Sequence, residues 1–235
     1  MSDLFGEILE IKELCNEDIA VMYKLMDEFY DNMTLEYFIK DLKEKDYCII
    51  LRDNLKIIQG FSTQKIIEVD VDDKKVHGVF SGDTIIHSDY WGSFELHKAF
   101  AKFFFDYGEK YDEFYWFLIS KGYKTYKMLP AFFKKSYPSY KEQAPKYIQD
   151  IMNAFGNASY PEEFDEESGV IKYKHVKDKL KEGVADIDDK KLRDKHIKYF
   201  VEINPTYIDG NDLVCLAKME KDNLRPTAKR LFYGQ

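Results

Sequence analysis

The sequence predicts an α/β (α+β) domain with a mixed, mostly antiparallel central sheet flanked by helices, and a helical C-terminal elaboration. Three observations carry this reading. Apolar spacing is helical up to about residue 42 and becomes strand-like from residue 47 to residue 87. Asp53-Asn54 and Asp72-Asp73 read as tight turns between the strand-like runs, which makes those neighbours antiparallel. A helical pattern from residue 93 to 107 then precedes the apolar run Phe114-Tyr115-Trp116-Phe117-Leu118-Ile119. A helix of that length lets this run lie parallel to the strand before it.

The elements follow in order. Ile8-Leu9-Glu10-Ile11 reads as a short strand, and Asn16 as the cap of a helix whose apolar positions are Ile19, Met22, Tyr23, Met26, Phe29 and Tyr30. Thr34 opens a second helix with Leu35, Phe38, Ile39 and Leu42 on one face, and the charged residues 43 to 46 end it. Strands are expected at residues 47–51, 56–71 and 75–87, forming a three-stranded meander. Ser93 is the expected cap of the next helix, which carries Leu96, Ala99, Phe100, Phe103, Phe104 and Tyr107 on one stripe. After the buried strand at 114–119, a short helix from Thr125 is expected to break near Pro130. Another is expected from Pro145 to Ala154, ending near Gly156. Residues 162–168 read as an acidic loop, 169–173 as a strand, 188–202 as a charged amphipathic helix and 213–218 as a late buried strand. Lys172, Lys174, Lys177, Lys179 and Lys181 read as a solvated face.

Composition narrows the function classes. A chain of 235 residues with 45% hydrophobic residues can bury a sizeable core, and collagen-like, low-complexity and disordered classes are excluded. No apolar run approaches the roughly 18 residues of a membrane helix. Met1-Ser2-Asp3 lacks a signal-peptide layout, so a cytoplasmic protein without a membrane partner is expected. Net charge is −8 and only four of the 35 basic residues are arginine, which argues against nucleic acid as a partner. Cys15, Cys48 and Cys215 have no metal-ligand spacing and read as reduced thiols, and no metal site is expected. The 18 Tyr, 18 Phe and 2 Trp read first as core, with a stacking surface or an apolar pocket as alternatives.

The order strand, two helices, antiparallel meander, helix, strand, helix resembles the GCN5-related N-acetyltransferase (acyl-CoA N-acyltransferase) fold over residues 5–137. Residues 138–235 are expected to be an extension of the same single domain that supplies the last strands and extra helices. In that family the fourth strand ends in a loop patterned Arg or Gln, two residues, Gly, one residue, Gly or Ala, whose amides hold the coenzyme A pyrophosphate at a helix N-terminus. The physical basis is the free N–H groups and partial positive charge found there. The matching segment is Asp89-Tyr90-Trp91-Gly92-Ser93-Phe94, which keeps the central glycine and departs from the pattern at Asp89 and Phe94. Asp89, and Glu95 in the first helical turn, read either as repelling a pyrophosphate or as neutralising the helix N-terminus, and Lys98 either as a compensating charge or as a solvent-exposed lysine.

The resemblance implies donor-binding roles for Trp91, Gly92, Ser93 and Phe94. It implies the same for Thr84, Ile85 and Ile86, whose backbone would pair with the pantetheine arm, and for Ser120. Acetyl-CoA or another acyl-CoA is the implied donor substrate, and a small-molecule or peptide amine the implied acceptor, with a homodimer admitted. A tyrosine beyond the fifth strand often protonates the departing thiolate in that family, which makes Tyr126 the first choice and Tyr123 the second. A phenol keeps its proton at pH 7 and can reach a sulfur. Tyr126 also reads as a core tyrosine beside Leu129 and Phe133, and Asp83 as either an amine-facing base or part of a bulge at Gly82-Asp83. No G-x-S-x-G, H-E-x-x-H, Walker or G-x-G-x-x-G motif occurs. The rival reading is a non-catalytic module of the same fold that binds a ligand or protein in a degenerate coenzyme A site.

Overall fold

A computed structural model describes residues 4–174 and 178–233. Met1-Ser2-Asp3 and Lys177 lie outside the described residues. The elements in chain order are β1 (Phe5–Glu10), α1 (Asn16–Phe29), β2 (Tyr30–Asp31), α2 (Leu35–Leu42), β3 (Tyr47–Arg52), β4 (Ile58–Val71) and β5 (Lys74–Ile86). They continue with α3 (Glu95–Gly108), β6 (Phe114–Ser120), α4 (Tyr123–Tyr126), α5 (Met128–Phe132), α6 (Lys146–Ser159), β7 (Phe164–Asp165), β8 (Val170–Ile171), β9 (Lys179–Leu180), α7 (Lys195–Ile203), β10 (Asp212–Lys218) and α8 (Pro226–Tyr233).

One eight-stranded sheet has the order β1-β3-β4-β5-β6-β10-β8-β7, and β2 pairs separately with β9. β5 and β6 pair in parallel through His77 to Ser81 against Phe114 to Leu118, whereas every other pair in the sheet is antiparallel. This is the mixed, mostly antiparallel arrangement implied by the resemblance, and α3 provides the crossover into its one parallel pair. Leu213 to Lys218 of β10 pair with the far edge of β6.

Side-chain alternation explains why these strands read as unbroken apolar runs: both faces are covered. Trp116 and Leu118 face α3, α5, α7 and α8 through Phe100, Phe104, Leu129, Phe200 and Ala228. Tyr115 and Phe117 face α6 through Ile151, Met152 and Phe155 on the other side. Cys48 and Ile50 of β3 meet Met22, Met26, Phe38 and Leu42 of α1 and α2 on that same side.

Several helix boundaries differ from expectation for local reasons. Cys15, not Asn16, caps α1, its Sγ accepting from the Asp18 amide at 3.4 Å. Tyr30 leaves the helix because its backbone pairs with Leu180. Helix α3 begins at Glu95; the Ser93 hydroxyl accepts from the Glu95 amide at 3.3 Å, and Phe94 holds the cap position without a side-chain bond. The break after α4 falls at Lys127, and Pro130 sits in the first turn of α5, where its missing N–H has no intrahelical bond to lose. Gly156 lies inside α6. A Cβ there would stand 2.6 Å from the Phe164 ring, so the glycine serves close packing and not termination. The segment 188–202 becomes a 3-10 turn, Lys191–Arg193, followed by α7, because Asp194 caps the helix through the His196 and Ile197 amides.

Candidate functional site

The parallel pairing of β5 with β6 stops at Ser81 and Leu118, although β5 runs on to Ile86 and β6 to Ser120. The two strands therefore splay. A bulge accompanies the parting: Ser62 faces Thr84 and Gln64 faces Ser81, which leaves one extra residue in β5 at Gly82-Asp83. A buried polar chain holds this distortion. Trp116 Nε1 donates to Ser81 Oγ (2.8 Å), Ser81 Oγ to Gln64 Oε1 (2.7 Å) and Gln64 Nε2 to Ser62 Oγ (2.8 Å), and Ser62 Oγ lies 2.7 Å from Thr84 Oγ1. Each member has a partner, which is the condition under which a buried network rigidifies its surroundings.

Two cavities open at the splay. The smaller, about 80 Å³, is lined among the described residues by Asp41, Asp83, Asp178 and Asp212 against Lys45 and Lys121, with Tyr30, Tyr37, Phe80 and Tyr160 as aromatic walls. Lys45 Nζ pairs with Asp41 at 2.6 Å, and Lys121 Nζ with Asp212 at 3.1 Å and Asp178 at 3.5 Å. Tyr173 donates to Asp212 at 2.7 Å. Burial, followed by the negative field of Asp83, Asp178 and Asp212, raises the Tyr30 pKa far above the usual phenol range, so its hydroxyl keeps its proton.

The larger cleft, about 480 Å³, runs between the open edge of β5, the N-terminal turn of α3, α4 and the segment at 180–185. Its walls are mostly apolar, including Phe29, Ile85, Leu96, Met128, Leu180 and Val184. Lys121 and Lys124 are its only charged lining residues among those described. Gly92 has φ +93°, a left-handed conformation that favours glycine, and it carries the chain into α3. Lys98 pairs with Glu95 at 2.6 Å, so the acidic residue in the first helical turn is neutralised locally. Burial lowers the pKa of His97, which also lines this cleft, and keeps the ring neutral at pH 7. The two cavities share Tyr30, Thr84, Lys121 and Thr125.

The residues expected to form the site divide into two groups. Thr84, Ile85, Ile86, Trp91, Gly92, Ser93 and Phe94 all line the larger cleft, and Asp83 lines the smaller cavity at the bulge. Of the three strand residues, Ile85 turns its backbone toward β4: His87 N bonds Gln59 O at 2.8 Å, and strand alternation then puts Thr84 and Ile86 on the open edge. The other three lie elsewhere. Tyr126 is buried, donates to the Pro138 carbonyl at 3.1 Å, packs on Phe200 and lines neither cavity. Tyr123 also lines neither, and the Lys191 ammonium sits 5.8 Å from its ring centroid. Ser120 is fully buried, its hydroxyl 3.6 Å from Cys215 Sγ on β10. Tyr30, Asp41, Lys121, Asp178 and Asp212 were not among the expected site residues; they gather from β2, α2, the residue after β6, the segment before β9 and β10. No local pattern connects residues so far apart in the chain.

No protein-family model matches the sequence, and no curated protein matches it significantly. Among solved structures, similar folds include a probable N-acyltransferase from Enterococcus faecalis V583 (TM-score 0.43, 11% identity, covering 57% of this chain and 33% of that one). Another is a GNAT family N-acetyltransferase from Escherichia coli in complex with CoA (TM-score 0.37, 13% identity, 52% of this chain and 66% of that one). An aminoglycoside acetyltransferase from an uncultured soil metagenomic sample, in complex with sisomicin, has TM-score 0.40 and 17% identity over 53% of this chain and 82% of that one.

Proposed function

We propose that this chain is an acyl-CoA-dependent N-acyltransferase that transfers an acyl group, acetyl in the simplest case, to an amine of a small molecule or peptide. One observation carries the reading: an apolar cleft edged by lysines and an acidic cavity meet at the β5–β6 splay and share Tyr30, Thr84, Lys121 and Thr125. The cleft suits an apolar arm ending in anionic phosphates, because a helix N-terminus and Lys124 stand at it and no described acidic residue lines it. The acidic cavity suits an amine, which carboxylates attract in its charged form and can deprotonate before attack.

In this reading the backbone N–H of Ile86 holds the donor along the open edge, and that of Thr84, which borders both cavities, polarises its thioester carbonyl. Asp83 takes the proton released as the amine nitrogen bonds to the carbonyl carbon. Tyr30 presents its hydroxyl to the sulfur as the carbon–sulfur bond breaks, so the thiol leaves protonated. Tyr30 holds this role in place of Tyr126 and Tyr123 because it borders both cavities and they border neither. Coenzyme A or acetyl-CoA at 100 times its dissociation constant stabilises the fold by about 2.7 kcal/mol, equivalent to a rise of about 5 to 10 °C in Tm. A thermal-shift titration reads this directly. An unchanged Tm at millimolar ligand removes the enzyme reading and leaves the non-catalytic module.

A further inference from the structure

Past the splay, the open edge of β5 offers the backbone groups of Thr84 and Ile86 to whatever lies in the larger cleft. One of them is already used. The Trp91 indole Nε1 donates to the Ile86 carbonyl at 2.9 Å, so a side chain of the loop before α3 bonds the strand edge as an added strand would. The Trp91 ring lies 5.9 Å from the Phe29 ring between centroids, and the Lys124 ammonium sits 4.2 Å from the indole centroid. It is nevertheless 50% exposed, unlike Trp116 at 3%. The neighbouring Gly92 turns with φ +93°, and a Cβ there would meet nothing within 4 Å, so packing does not wedge the turn that carries the indole.

We propose that Trp91 is a gate on the donor edge: its indole N–H competes with an amide N–H of the donor's pantetheine arm for the Ile86 carbonyl, and the donor binds by displacing it. This rests on the assignment of the larger cleft to acyl-CoA. An amide N–H and an indole N–H are equivalent donors to one carbonyl, so the exchange conserves the hydrogen bond to Ile86, and the free protein contributes the cost of breaking its own. Trp91→Phe keeps a ring on Phe29 and removes the competing N–H.

The test is calorimetric titration of the full-length protein with coenzyme A, alongside tryptophan emission. Binding is expected to be about two- to tenfold tighter in Trp91→Phe than in the wild type, the range spanned by one modest hydrogen bond. Wild-type emission is expected to change on titration, because Trp91 is the exposed one of only two tryptophans, and the change is expected to vanish in the variant. Equal or weaker binding by Trp91→Phe overturns the gate, as does wild-type binding with no change in emission. If neither protein binds coenzyme A, the donor assignment itself has failed and the gate falls with it.

Discussion

In the proposed reading Tyr30 is placed for chemistry and Tyr126 for packing. Both phenols are held protonated by burial, so ionisation does not distinguish them. Their surroundings do: Tyr126 spends its hydroxyl on the Pro138 carbonyl, whereas among the described residues none bonds the Tyr30 hydroxyl, and Tyr30 borders both cavities. Tyr30→Phe is therefore expected to lower kcat for amine-dependent thiol release from acetyl-CoA by about 100-fold or more, with donor Kd unchanged. Tyr126→Phe is expected to keep kcat within about twofold and to lose about 1 kcal/mol of stability, or about 2 to 4 °C in Tm. The reverse pattern in the same assays would restore Tyr126 to the chemistry. Tyr30 escaped the sequence reading because it continues the helical spacing of Met22, Met26 and Phe29. The helix stops there through pairing with Leu180, some 150 residues away, which leaves no local mark.

At the scale of elements, the central strands were legible, whereas β7 lies in the stretch read as an acidic loop because its two residues are held only by pairing with β8, and the helix ends were less legible. Turns at Asp53-Asn54 and Asp72-Asp73 and the apolar runs between them place β3, β4 and β5 to within about two residues, because strand alternation and turn chemistry are local. Helix ends depend on which side chain reaches which amide, as α7 illustrates. Asp194 accepts from the His196 and Ile197 amides and pairs with Lys127 at 2.5 Å. Partial burial by itself would raise the Asp194 pKa, but Lys127 and the two amides outweigh it and hold the carboxyl below its ordinary value. A depressed folded-state pKa contributes stability above the unfolded value near 4, and that contribution is lost as pH falls through the folded value. Asp194→Ala is thus expected to cost about 1 kcal/mol at pH 7, mainly through the cap, since both partners of the ion pair are about one-third exposed. The Tm difference from wild type should be about 2 to 4 °C at pH 7 and should shrink toward pH 3. A difference that does not change with pH would mean the carboxylate charge has no part in the cap.

For the whole molecule, the C-terminal segment contributes both to the sheet and to the walls of the two cavities. β10 covers the edge of β6 that β5 does not, while Asp178, Leu180 and Val184 supply walls to the two cavities. A fragment of residues 1–140 would expose the β6 edge and strip the β6 face that α6 covers, so it is expected to be insoluble or molten. A soluble fragment with a cooperative melt would show that the segment is a separate module. This part of the site was illegible in the sequence because Lys121, Asp178 and Asp212 are brought together by sheet order and not by spacing. Catalysis as proposed requires the acyl donor to lie along the open edge of β5 with its thioester between the two cavities. The most direct measurement is a crystal structure of the protein with acetyl-CoA. The expected structure has the pantetheine arm beside Thr84 and Ile86, the pyrophosphate at the N-terminal turn of α3 and the thioester within reach of the Tyr30 hydroxyl. A donor bound elsewhere, or one whose thioester points away from Tyr30 and the acidic cavity, would contradict it.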